Sequence, residues 1–380
     1  MASGARTRIL IVDDSAVMRS LLRSLILADG GLDVAGTAAD GATALSAVAS
    51  LEPDLVLLDV EMPVMDGLAT LRELRRRGHR VPVIMCSSLT QRGARVTIEA
   101  LASGASDYVT KPVGQPGRLE ALRVLSQELT PKICALAGKL RLEPSSPVLP
   151  TAASRMPQAG PLLFPPLKAP VPAAAPAVLA IGVSTGGPAA LEVLLPALPA
   201  NFPLPVLIVQ HMPEIFTRLI AERLDARCPL RVREASEGEP VSPGTIWFAR
   251  GNWHMEVVAF PASESRVALH LSQGSLENHC RPAADVLFRS AAKAYGAGVL
   301  AVVLTGMGSD GMTGCRAVRE QGGTVLAQDQ ATSTVWGMPG AIVHAGLAHK
   351  VLPLEAMAEE IVRNAWRARN ESAEFERRVV

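Results

Sequence analysis

Three polar side chains stand at or just beyond the ends of apolar runs in the second half of this 380-residue chain: Ser184 after VLAIGV, His211 after VLIVQ and Asp310 after VLAVVLTGMGS. Buried parallel strands read as such runs, and their carboxyl ends are where an open α/β sheet gathers side chains around a crevice. The residue types suit acyl transfer. A serine hydroxyl becomes a nucleophile when an imidazole takes its proton, and a carboxylate fixes the imidazole tautomer and stabilises its cation. The trio therefore points to a hydrolase of acyl compounds. Gly182-Val183-Ser184-Thr185-Gly186 fits a G-x-S-x-G strand-to-helix turn, although a glycine-rich turn with an N-capping serine has the same letters. The order Ser, His, Asp differs from the Ser, Asp, His of the α/β-hydrolases. Of the seven histidines, His211 directly terminates a strongly apolar strand. His254 and His279 are candidate cleft residues, while His79, His270, His344 and His349 read as surface or packing residues.

A second constellation occupies the first half. Asp13 and Asp14 end RILIV, Asp59 ends DLVLL, and Lys111 follows DYVT. Three carboxylates converging on one crevice without an internal cation invite Mg²⁺, a hard ion that takes one or two carboxylates and leaves room for phosphate oxygens. Lys111 would supply a positive point charge for the same phosphate. A rival pattern lies at Thr305-Gly306-Met307-Gly308-Ser309-Asp310-Gly311, which contains G-x-G-x-x-G after a strand, with Asp329 at another strand end. Those are the letters of a dinucleotide fingerprint and of an NAD-binding oxidoreductase. That reading leaves Ser184 and His211 without work and places the motif late in its domain.

Elements able to position these groups are visible on both sides of a proline-rich stretch. The first half alternates RILIVDD, LDVAGTA, DLVLLDV, VPVIMCSS and DYVTKP with helical patterns, the first helix starting near Ser15. Five βα units predict a doubly wound, mostly parallel sheet. Ten prolines fall between Glu143 and Ala177, an extended linker composition. After it, PAVLAIGVS, LPVLIVQH, VLAVVLTG and GGTVLAQD predict a second parallel-rich α/β sheet. Expected boundaries are 6–125 for the first domain, 126–176 for a helix end and linker, and 177–369 for the second domain.

Composition narrows the function classes. Thirty-seven basic and thirty-six acidic residues leave no field for a nucleic-acid footprint. Five scattered cysteines support neither a disulfide framework nor a zinc site, which fits a reducing cytoplasm. No apolar run reaches the roughly 18 residues of a membrane span, and none resembles a signal-peptide core, so a soluble, unexported protein without membrane insertion is expected.

The acids at 13 and 14, DVEMPVMDG from Asp59, Ser87, Tyr108 and Lys111-Pro112 resemble the receiver domain of two-component response regulators. That resemblance implies a flavodoxin-like (βα)5 fold with Asp59 as phosphoacceptor. It further implies Mg²⁺ held by Asp13, Asp14, Asp59 and the Glu61 carbonyl, Lys111 on the phosphoryl group, Ser87 and Tyr108 as the switch, and a cis Lys111–Pro112 bond. GVSTGG, VQHMP, HCRPAADVLF, LTGMGSDG and VWGMPGA, behind a receiver and a linker, are similar to the chemotaxis protein-glutamate methylesterases, the CheB family. Membership implies hydrolysis of glutamate γ-methyl esters, and deamidation of glutamines, on methyl-accepting chemoreceptors, with a histidine kinase as phosphodonor. By the same resemblance Ser184, His211 and Asp310 form the triad, Thr185 and Met307 flank the reacting carbonyl, and the esterase needs no cofactor. A protein acting mainly as a phosphate sink or adaptor, with a weak esterase, is the competing reading.

Overall fold

Apolar runs become strands where capping and turn residues bound them. In the first half these are β1 (Thr7–Val12), β2 (Leu32–Ala38), β3 (Leu55–Asp59), β4 (Val83–Ser87) and β5 (Asp107–Thr110). They alternate with α1 (Ala16–Ala28), α2 (Gly41–Leu51), α3 (Gly67–Arg76), α4 (Gln91–Ala102) and α5 (Arg118–Leu140). Ser15, Asp40, Asp66 and Thr90 start the first four helices, each accepting a first-turn N–H with its side-chain oxygen. All five strands are parallel in the order β2-β1-β3-β4-β5, the flavodoxin-like arrangement expected. The order reverses between β1 and β3, so the crevice opens beyond Val12 and Asp59. The computed structural model describes residues 6–88, 90–112, 117–140, 175–259 and 267–379; most of the proline-rich stretch, 141–174, lies outside them.

The second half runs β6 (Val178–Val183), α6 (Gly187–Leu194), β7 (Val206–Gln210), α7 (Glu214–Asp225), β8 (Arg231–Glu234) and β9 (Thr245–Phe248). It continues with β10 (His254–Ala259), β11 (Val267–Ser272), α8 (Ala284–Tyr295), β12 (Val299–Val303) and α9 (Met312–Glu320). β13 (Thr324–Gln328), α10 (Met338–His344), β14 (Lys350–Leu352) and α11 (Leu354–Val379) complete it. Seven parallel strands order as β14-β13-β12-β6-β7-β9-β8. The chain moves outward from β6 to β8 and β9, then crosses back to β12 on the other side of β6. That reversal puts a second crevice at the ends of β12, β6 and β7. Every residue of those three strands is buried, which leaves their ends little freedom to wander. The antiparallel β10–β11 ribbon and the short β8, β9 and β14 extend the architecture beyond the four strands read from the sequence.

The two halves share a core. Buried apolar residues continue from Ile98, Leu101 and Tyr108 of the first to Leu191, Phe216 and Ile220 of the second. The Tyr108 ring stacks on Phe216 with centroids 4.5 Å apart. No described helix is long and apolar enough to cross a membrane.

Candidate active site

Asp310 follows β12 and turns back onto the start of α8. Its Oδ2 accepts the Ala284 N–H at 2.6 Å and its Oδ1 the Asp285 N–H at 3.1 Å. Ala283, the N-cap of α8, makes no side-chain capping bond of its own. A carboxylate from elsewhere in the chain therefore satisfies the helix's first donors, where the helix dipole also favours negative charge. His211, one residue beyond β7, lies with Nε2 at 2.7 Å from Asp310 Oδ2. Burial raises the Asp310 pKa, yet His211 and the two backbone donors outweigh it and leave the carboxyl below its usual range. Burial likewise disfavours the His211 cation. The hydrogen bond to Asp310 and the nearby Cys280 thiol overcome that, so the imidazole is held above its ordinary value.

Ser184 leaves β6 with its N–H donated to Thr305 O at 3.0 Å, while the buried Gln210 amide donates to Ser184 O at 3.0 Å. Gly306 makes this approach possible, because a Cβ there would meet the Ser184 Cβ at 2.9 Å and Met338 Sδ at 2.4 Å. The left-handed residue of the turn is Gly186, at φ 78°, and not the serine. Ser184 and His211 line one cavity of about 490 Å³ together with Thr185, Met307, Asn278, His279 and Cys280. They are not hydrogen-bonded to each other among the described residues; instead the Cys280 thiol lies 3.6 Å from His211 Nδ1. Of the two candidate cleft histidines, His279 lines the cavity, whereas His254 is buried against Ser275 O at 2.9 Å.

The first half forms the other wall of this cavity, with Asp107, Tyr108, Glu128 and Lys132 among its lining. Thr185, expected beside the reacting carbonyl, donates its hydroxyl to Asp107 Oδ2 at 2.6 Å. Lys132 Nζ lies 3.4 Å from Asp107 Oδ1 and 4.9 Å above the Tyr108 ring centroid. Sequence reasoning missed Asp107, Asn278, Asp285 and Gln210. The available signal was a polar residue at a strand start, at a strand end, in the ENHCRP turn or in the first turn of α8.

In the other crevice, oxygens of Asp13, Asp14 and Asp59 lie within 4.8 Å of one another. The expected lack of an internal cation is corrected: Lys111 Nζ sits 2.7 Å from Asp59 Oδ1 and 2.8 Å from Asp13 Oδ2. Burial still pushes the Asp59 pKa up to about 6 against the opposing lysine. An all-oxygen donor set with Asp14 exposed to solvent suits a hard divalent cation. The exposed Glu61 donates its N–H to Asp59 Oδ1 at 3.4 Å. The Ser87 hydroxyl accepts from Thr97 Oγ1 at 2.7 Å and donates to Ser88 O at 3.1 Å. Lys111–Pro112 is not cis; the cis bond among the described residues is Arg281–Pro282. Asp329, the acid of the dinucleotide reading, accepts the Thr332 N–H at 2.9 Å and the Thr332 hydroxyl at 2.7 Å with its Oδ1.

Residues 179–361 match the CheB methylesterase family model, and residues 9–123 match the response regulator receiver domain. The chain is 49% identical to a Nocardioides protein named protein-glutamate methylesterase/protein-glutamine glutaminase, across 95% of this chain and 96% of the relative. The chain belongs to that family. A Trichodesmium erythraeum member with the same name is 44% identical over 94% of this chain and 98% of its own. The crystal structure of the Thermotoga maritima CheB methylesterase catalytic domain is 41% identical, covers 50% of this chain and 98% of its own, and superposes with a TM-score of 0.48. Family membership and the receiver match both agree with the two crevices just described, one for each half.

Proposed function

We propose that the protein hydrolyses glutamate γ-methyl esters, and deamidates glutamines, on methyl-accepting chemotaxis receptors, and that phosphorylation of Asp59 activates it. The reading divides the chain into a switch at 6–125, a helix end and linker at 126–176 and a hydrolase at 177–369, working in the cytoplasm with a histidine kinase as phosphodonor. Hydrolysis rests on His211, held by Asp310 and sharing one cavity with Ser184, and regulation on the Thr185–Asp107 contact, which ties the residue after the nucleophile to the receiver.

In its neutral form His211 takes the proton from Ser184 Oγ as the oxygen attacks the ester carbonyl. The tetrahedral oxyanion collapses, and the leaving methoxide takes that proton back from His211 and departs as methanol. Water then adds to the glutamyl-serine, again through His211, and releases the carboxylate. Asp310 stabilises the imidazolium at both stages. The Met307 N–H is assigned as an oxyanion donor, a contribution of about 10² to 10³ in rate. The Ser184–His211 hydrogen bond belongs to the working state, since such contacts tighten only when substrate is bound.

Occlusion explains the resting state. A helix with side chains is about 10 to 12 Å across, so the 490 Å³ cavity accommodates little more than one turn of a receptor helix. Asp13, Asp14, Asp59 and the Glu61 carbonyl would hold Mg²⁺, which would supply charge neutralisation for phosphoryl transfer. A phosphoryl dianion on Asp59 recruits Lys111 and draws the Ser87 hydroxyl from Thr97. Tyr108 then turns into the vacated space and leaves Phe216.

Methanol release from methylated receptor membranes tests the reading, with and without a small phosphodonor plus Mg²⁺. Release that depends on Ser184 and rises with phosphodonor supports it. No release from folded protein on its cognate receptor favours the adaptor reading. Deleting residues 1 to 143 is expected to raise basal release, and an unchanged rate would contradict occlusion.

A further inference from the structure

Asn278 has no part in the mechanism above, yet it joins two buried carboxylates. Its Nδ2 donates at 2.9 Å to Asp310 Oδ1 and at 2.9 Å to Asp285 Oδ2. Each of those acids is 2% exposed. Asp285 is itself fixed, because its Oδ1 accepts the Gly314 N–H at 2.6 Å. Two carboxylates this close repel, and a primary amide offers one hydrogen to each without adding a charge. The site also requires the left-handed backbone, φ 51°, that asparagine tolerates better than most residues.

These bonds set the plane of Asp310. Oδ1 is held by Asn278 and the Asp285 N–H, and Oδ2 is left to Ala284 N–H and His211. We infer that Asn278 is a positioning residue that aims Asp310 Oδ2 at His211 Nε2, with Asp285 as its anchor. The inference rests on the hydrolase reading. Two residues along the same turn, Cys280 meets His211 Nδ1, so one short segment touches both members of the pair. The charged or titratable groups around His211 are Asp310 and Cys280 in contact, Asp285 behind them, and His279, Asp107, Tyr108, Glu128 and Lys132 on the cavity wall.

The test compares Asn278→Gly and Asn278→Asp in the full-length, phosphodonor-treated protein, since both replacements accept a positive φ. Asn278→Gly is expected to lower kcat by about ten- to hundredfold, the range for breaking a buried charged hydrogen bond, with KM nearly unchanged. Asn278→Asp puts a third carboxylate beside Asp310. It is expected to move the His211 ring titration, followed by NMR, to higher pH than in the wild type and in Asn278→Gly. Wild-type kcat in Asn278→Gly, a loss confined to KM, or the same His211 titration in both variants would each overturn the assignment. If Asn278→Asp fails to fold, the kcat and KM of Asn278→Gly decide. Absence of methanol release by the wild type would end the hydrolase reading, while the NMR titration would still report on Asn278.

Discussion

The two crevices are built alike and neutralised differently. Each lies at a reversal of strand order and holds a buried acid, Asp59 in one and Asp310 in the other. Asp59 relies on the ammonium of Lys111, at the end of a flexible stem, and its pKa still sits near 6. Asp310 relies on two amides of the α8 N-terminus, an asparagine and an imidazole, and its pKa lies below the usual range. Fixed dipoles need no reorganisation when charge develops, which suits an acid that must serve every turnover. A lysine can trade one partner for another, which suits an acid that must accept and lose a phosphoryl group.

That contrast can be broken most severely at the hydrolytic end. Ser184→Ala is expected to abolish methanol release without moving the melting temperature; retained release would remove Ser184 from the mechanism. Asp310→Asn should cost up to about 10⁴ in rate, and should also lower stability by about 0.5 to 2 kcal/mol through the weakened helix start. Paired rate and melting measurements check this, and a rate loss without any melting shift would separate the acid from its capping role.

Cutting the link between the crevices is a smaller intervention. Asp107→Ala removes a hydrogen bond to a charged acceptor worth about 1.5 to 3 kcal/mol. Unphosphorylated release should rise by up to roughly a hundredfold, and an unchanged basal rate would show that the Thr185 contact does not hold the resting state. A pH series sharpens the comparison further. The His211 pKa is raised on folding, so its contribution to stability is complete below the ordinary value of about 6.5 and is lost as pH climbs through the raised one. His211→Gln should therefore cost more melting temperature at pH 6 than at pH 9, and an equal cost would contradict the pairing. Least of all, Arg95→Ala removes an exposed 3.9 Å contact to Glu222 across the halves. It should change basal release by under about fivefold, as surface pairs contribute 0 to 1 kcal/mol.

The legible parts of the molecule were those with a period. Apolar runs of five or six residues announced β1, β6, β7 and β12, and Ser184, His211 and Asp59 were legible because each falls at or next to a strand end. Asn278 lay hidden in an irregular turn, and its meaning depends on Asp310 32 positions away. Asp107 was equally silent, since its partner Thr185 lies 78 residues along the chain in the other half. The strands β8, β9 and β14, with three or four residues each, are too short to display alternation. Lys111 was assigned to a phosphate from its position, but its resting partners, Asp13 and Asp59, emerge only from the folded crevice.

The capping of α8 by Asp310 also ties together two parts of the chain far apart in sequence. Ala284 leaves the ribosome 26 residues before the side chain that satisfies its N–H. A nascent chain ending anywhere between them carries a helix with an unfinished start, and short helices without tertiary support are marginal in water. The acid of the hydrolytic site is thereby also a cap of the helix behind it, so a change at Asp310 reaches both the chemistry and the start of that helix.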